Sequence, residues 1–118
     1  IGSLTILDAL MRRVGRSDPR IAGARRDGWA WMQSNWTVRS NAAFGWGWYA
    51  YTMYGLERAA MLNGLQTVGG HDWYFEGAVV LISNQAGDGS WFGSALYDTC
   101  FAVLFLRRAA INVGTGGK

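Results

Sequence analysis

The sequence predicts an all-α protein whose domain spans residues 1–113, built from repeated helical hairpins as about five helices in two layers. Three observations carry that expectation. A stretch of sequence recurs after about 50 residues, helical segments of two kinds alternate along the chain, and turn signals fall between them.

The recurrence comes first because it sets the frame. Asp27 to Asn35 lines up with Glu76 to Asn84: an acid and a glycine open both stretches, hydrophobic residues follow, and Ser-Asn closes both. Leu56 to Met61 matches Leu106 to Ile111 at nearly the same spacing, and Leu4 to Arg13 looks like the corresponding helix of an earlier unit. Repeat units are therefore expected over about 18–63 and 70–112, with a partial unit over 3–14 and a flexible glycine-rich tail at 114–118.

Each unit reads as two helices. Asp18-Pro19 is a start signal, an N-cap acid followed by proline at the first helical position. Ile21, Ala24, Gly28, Trp31 and Met32 then fall on one face, with Arg20, Arg25, Arg26 and Asp27 on the others. The second copy starts near Asp72 and places Trp73, Gly77, Val80 and Leu81 together, with Asp72 and Glu76 elsewhere. The partner helices differ. From Trp46 to Leu62, and again from Leu96 to Ala110, apolar or small residues occur all round. A helix apolar on every side must be buried on every side, so these form the inner layer and the amphipathic helices the outer one. Ala78 to Ile82 and Phe101 to Leu106 could be read as strands, but both lie inside helix-length segments without Gly-Pro punctuation. Asn63-Gly64 marks a helix end, Gly69-Gly70 a flexible joint and Asp88-Gly89 a tight turn.

Composition narrows the function classes. Half of the 118 residues are hydrophobic and 16% are charged, with 7 Trp, 5 Tyr and 5 Phe. One compact domain of this size cannot hide so many large rings, so some are expected to face a partner, a ligand or further chain. The net charge of +3 includes a cluster of Arg12, Arg13, Arg16, Arg20, Arg25 and Arg26. Asp18 and Asp27 interrupt it and no nucleic-acid motif accompanies it, so nucleic acid is not an expected partner. Cys100 is the single cysteine, which excludes an internal disulfide. The longest strongly apolar run, Phe101 to Leu106, is far short of a transmembrane segment. The tail from Gly114 to Lys118 is no phosphate loop, because Asn112 stands where its first glycine would be. Starting at Ile1, the sequence reads as a processed chain or as part of a longer parent.

Between the second outer helix and the next inner one lies Gln85-Ala86-Gly87-Asp88-Gly89-Ser90-Trp91. With Gly77 and Leu81 upstream, Gln85, Gly89 and Trp91 make this stretch similar to the QW repeat of squalene and oxidosqualene cyclases. In such an element the Gln amide is expected to satisfy orphan groups at a helix end, and the Trp to cover that contact and join neighbouring hairpins. The first copy departs from it, with Trp36 where Gln85 stands and a loop running on through Phe44-Gly45-Trp46. Residues from about Asp18 to Ala110 thus resemble the terpenoid-cyclase and protein-prenyltransferase superfamily. That resemblance implies an α/α-toroid, a partial α/α-barrel with apolar inner and amphipathic outer helices. A closed ring of that family has six hairpins, and this chain holds little more than two. The resemblance therefore implies either a homo-oligomer, three copies completing a ring, or the remainder of a longer parent chain.

The chemistry the family would use is incomplete here. The acid cluster Asp-x-Asp-Asp is missing, as is the aspartate-rich magnesium motif. Asp98-Thr99-Cys100 is similar to the Asp-x-Cys of prenyltransferase β subunits, which implies zinc held by Asp98 and Cys100. The third ligand should be a downstream histidine, whereas the single histidine, His71, lies upstream. The alternative is a small core cysteine and an acid near a helix start. His71-Asp72 could form an acid–base pair, or Asp72 could simply start a helix beside a glycine hinge. Trp46, Trp48, Tyr51 and Tyr54 could line an apolar pocket for an isoprenoid ligand or form an interface. The reading that fits best is a non-catalytic repeat module, without cofactor, that self-assembles or binds a partner through exposed apolar edges. The alternative is a fragment of an isoprenoid-handling enzyme.

Overall fold

A computed structural model describes residues 1–40, 45–93 and 96–113, the last six of these by backbone alone. The tail at 114–118 and Phe44 lie outside the described residues. The chain is all-helical: α1 (Gly2–Arg13), α2 (Pro19–Ser34), α3 (Tyr49–Leu62), α4 (Trp73–Ser83) and α5 (Leu96–Val113). Both runs that could be read as strands are helical.

The local signals explain most boundaries. Asp18 accepts a hydrogen bond from the Arg20 amide and Pro19 takes the first helical position of α2. The Arg20 side chain also bonds the Asp18 carboxylate, and together these bonds lower its pKa to about 2. Asp72 caps α4 by accepting from the Phe75 amide. At the other end, the asparagines that close α2, α3 and α4 behave alike. Asn35, Asn63 and Asn84 each donate a side-chain amide to the carbonyl four residues back, on Trp31, Ala59 and Val80, at 2.9, 2.7 and 2.8 Å. The recurring Ser-Asn is thus a helix stop that satisfies one orphan carbonyl. Gly69 and Gly70, expected as a flexible joint, instead form a two-residue turn with positive φ at both positions. It is closed by reciprocal Val68 and His71 backbone bonds of 3.0 Å.

α3 is the centre of the packing. It lies between α1 and α5, while α4 crosses α3 and α5, and α2 lies on α1. The rings of α3 and α5 run in the same order, Trp48 on Tyr97 and Tyr51 on Phe101, so these two helices are parallel. The central cluster joins Tyr49, Met53, Leu56 and Ala60 of α3 to Trp73 and Leu81 of α4, Trp91, and Ala102 and Phe105 of α5. Gly77 sits at the crossing. A Cβ there would come 2.5 Å from Met53 Cε and 2.7 Å from Phe105 Cζ.

Four face assignments need correction. Trp29, not Trp31, packs against the core, and Trp31 and Ala24 are exposed. Arg25 lies on the packed side of α2 because its guanidinium bonds Asp8 of α1 at 3.2 Å and the Asn63 side chain at 2.5 Å. The outer helix α4 is not amphipathic: Phe75, Val79 and Ile82 form an exposed apolar stripe, because its sequence has only Glu76 to offer as a charge. Nor are the apolar helices covered on every side. Tyr51 and Leu62 of α3 and Leu96, Tyr97, Val103 and Leu104 of α5 are exposed, since no described helix follows α5.

The crossing makes a direct prediction. Met53 can swing aside, but the Phe105 ring is fully buried and stacked on Tyr74. Gly77→Ala should therefore destabilise the protein by roughly 1–2 kcal/mol, overpacking outweighing the gain in helix propensity. Gly23→Ala in α2, where the nearest atom to a new Cβ is Arg26 Nη2 at 3.7 Å, should stabilise by up to ~1 kcal/mol. Urea unfolding of both variants checks the pair.

Candidate functional site

The turn after α4 shows what Gln85 and Trp91 do. The helix-end contact expected of the Gln amide is made by the tryptophan instead. The buried Trp91 indole N–H donates to the Leu81 carbonyl at 2.7 Å, in the last turn of α4. Gln85 is exposed, and its amide closes its own turn on the Gly89 carbonyl at 3.0 Å. Gly89 has φ +86°, as the Asp88-Gly89 turn requires, and Asp88 accepts from both the amide and the hydroxyl of Ser90. Those bonds hold the Asp88 carboxyl below its ordinary value. The Trp91 amide donates to Thr99 Oγ1, so one tryptophan ties α4 to the first turns of α5. Gly77 and Leu81 belong to the same join, Leu81 fully buried and Gly77 at the crossing.

The other indoles and phenols work in the same way. Trp73 donates to the Leu65 carbonyl, Tyr74 to that of Leu106 and Tyr49 to that of Val38. Burial raises the Tyr49 phenol above its ordinary pKa. Trp36, standing where the second unit has Gln85, donates to Glu76 Oε2 and stacks on His71. His71 Nδ1 lies 2.9 Å from Glu76 Oε1. The histidine thus pairs with Glu76 rather than with Asp72, whose carboxylate is committed to the α4 cap.

Asp98 is half-buried in the first turn of α5, where desolvation raises its pKa, and Cys100 is exposed. These are two donors, and the histidine that would complete a zinc set is held by Trp36 and Glu76. Among the described residues no three His, Cys, Asp or Glu side chains gather to hold a metal ion. Four of the six clustered arginines form ion pairs: Arg12 and Arg25 with Asp8, Arg20 with Asp18 and Arg26 with Asp27.

Of the four aromatic residues singled out from the sequence, Trp48, Tyr51 and Tyr54 share one ring cluster with Tyr97 and Phe101, while Trp46 belongs to another. Trp48 stacks on Tyr97 and meets the edge of Tyr51, and both Tyr51 and Tyr54 pack on Phe101. Trp46 packs on Tyr49 and Phe92. The first cluster is an aromatic face on α3 and α5, open to solvent at Trp48, Tyr51 and Tyr97, and Trp46 is exposed separately beside Tyr49 and Phe92. Sequence reasoning missed Tyr97, Phe101 and Phe92, although Phe101 stands about 50 residues after Tyr51 in the repeat. Two members are strained: Trp48 and Phe92 hold φ values of 58° and 53°, a region that costs a bulky residue roughly 1–3 kcal/mol. A separate half-open cleft of about 230 Å³ lies between α1, α2 and α3, lined by Trp29, Met32, Thr52, Leu56 and Ala59 among others. It is smaller than a pocket for a drug-sized ligand, and none of the aromatic-face residues lines it.

Comparison of the chain with protein-family models, with curated proteins and with solved structures finds no match.

The part played by Trp91 in the turn can be tested. Trp91→Phe removes a buried hydrogen bond and part of a buried ring and should cost roughly 1–3 kcal/mol. Gln85→Ala, at an exposed turn, should cost less than ~1 kcal/mol. Thermal or urea unfolding that ranks Gln85 above Trp91 contradicts the assignment.

Proposed function

We propose that the chain is a non-catalytic helical repeat module, a segment of an α/α-toroid-like curved stack that assembles or binds a partner through its uncovered apolar faces. The observation that carries this reading is the exposure of large apolar side chains as stripes rather than singly. Ile6, Leu7, Leu10 and Val14 lie open on α1, Phe75, Val79 and Ile82 on α4, and Leu96, Val103 and Leu104 on α5. Contiguous patches of this kind mark interaction sites in soluble proteins.

The polar groups support the same reading. Asp18 and Asp72 cap helices, Asp88 closes a turn, Asp8 ties α1 to α2, and Glu76 binds His71 and Trp36. Those five acidic side chains are used to build the fold. The α1–α3–α5 row with α2 and α4 packed on it is what a toroid segment with inner and outer layers needs. One observation favours the second reading, part of an isoprenoid-handling enzyme: the open aromatic face of Trp48, Tyr51, Tyr54, Tyr97 and Phe101 could accept an apolar chain.

Sedimentation equilibrium across a wide concentration range tests the module reading. The expected result is a mass above the 13.0 kDa of one chain, rising with concentration. A species of one-chain mass throughout, binding no apolar-surface dye, contradicts it.

A further inference from the structure

We infer that the half-open cleft between α1, α2 and α3 binds a small molecule whose core is a single aromatic ring. The site goes beyond the module reading and does not depend on it. The internal repeat points to it, because each helix of the first unit has a counterpart in the second. In the register that matches Leu56–Met61 with Leu106–Ile111, Thr52, Gly55 and Leu56 of α3 stand on Ala102, Phe105 and Leu106 of α5. In the register that matches Asp27–Asn35 with Glu76–Asn84, Gly28, Trp29 and Met32 of α2 stand on Gly77, Ala78 and Leu81 of α4. In the second unit these positions are core: Leu81, Ala102 and Phe105 are fully buried, and Ala78 and Leu106 pack against them. In the first unit Trp29, Met32, Thr52, Gly55 and Leu56 line the cleft. The same place in the repeat is filled once and open once.

What fills it in the second unit is a phenyl ring. Phe105 lies under Gly77 and between the rings of Trp73 and Tyr74, with no exposure to solvent. Gly55 brings no side chain to the equivalent place: it is exposed, and a Cβ built on it meets nothing within 4 Å. The outer helices differ to match. α4 comes down on both α3 and α5, whereas among the described residues the α2 backbone approaches that of α1 and not that of α3. The space left is about 230 Å³, and an apolar cavity of about 150 Å³ is enough to accept benzene. Two exchanges in the lining favour an aromatic occupant. Trp29, in place of Ala78, offers an indole on which a ring packs better than an aliphatic group of equal area. Met32, in place of Leu81, adds a thioether, which also makes favourable contacts with rings.

Toluene, the free counterpart of the Phe105 side chain, is the probe. Titrated into the whole chain and followed by amide and indole NMR shifts, it should saturate a single site, with changes at Thr52, Gly55 and the Trp29 indole. Gly55→Phe places the ring in the cleft covalently, as Phe105 does in the second unit, and should abolish that binding and raise the unfolding temperature. Gly55→Leu fills the space with a smaller side chain and should raise the toluene dissociation constant at least about tenfold. The leucine variant should keep the parent's far-UV circular dichroism, and it carries the test if the phenylalanine variant does not fold. Three results overturn the site: no saturable binding by the parent, shifts that gather at Trp48, Tyr51 and Tyr97 instead, or a folded Gly55 variant that binds toluene as the parent does. None of them touches the module reading, which sedimentation without ligand decides.

Discussion

The crossing of α4 over α3 and α5 holds this molecule together, and it exists because residue 77 has no side chain. At Gly77 the α4 backbone descends onto Met53 and Phe105, and the large residues one turn either side, Trp73 and Leu81, become fully buried. Phe105 is then locked between Trp73 and Tyr74. This places two inner helices side by side under one outer helix, and the join is completed by the Trp91 indole on the end of α4. The Gly28 position shows the same device at lower intensity, with only the flexible Ile1 side chain against it.

Much of the fold was legible before any coordinates because its boundaries are set by local chemistry. The caps at Asp18 and Asp72, the stop at Asn63-Gly64 and the recurrence of about 50 residues all act over a few neighbours or by self-similarity. What failed was set by distant partners. Arg25 is drawn inward by Asp8 and Asn63, which no helical-wheel argument on α2 contains. Trp29 replaces Trp31 in the core for the same reason, since only the position of α3 decides which of two neighbouring rings is covered. In the Gln85–Trp91 turn the residue types were read correctly but the donor was misassigned: the buried group needing a partner was the indole, and the amide could remain in water. The aromatic face was half visible. Trp46, Trp48, Tyr51 and Tyr54 come from one helix and its approach, whereas Tyr97, Phe101 and Phe92 reach them only once α5 packs in parallel.

Exposed apolar area and helix-capping polar groups are the two features on which the proposed module reading rests. Trp73 and Phe105 are buried at the α4 crossing, while Trp31, Tyr51, Phe75 and Tyr97 leave exposed rings on α2, α3, α4 and α5. Two aromatic residues beside these rings, Trp48 and Phe92, stand in left-handed backbone, a conformation bulky side chains rarely adopt.

The central claim is that α3 is the buried axis and that the elements at either end of the row are held less firmly. Native-state hydrogen exchange resolved by residue measures this directly. Amides from Met53 to Ala60 should exchange only through global unfolding, and those of α1 should open at much lower free energy. Equal protection of α1 and α3, or faster exchange in α3, would contradict the account.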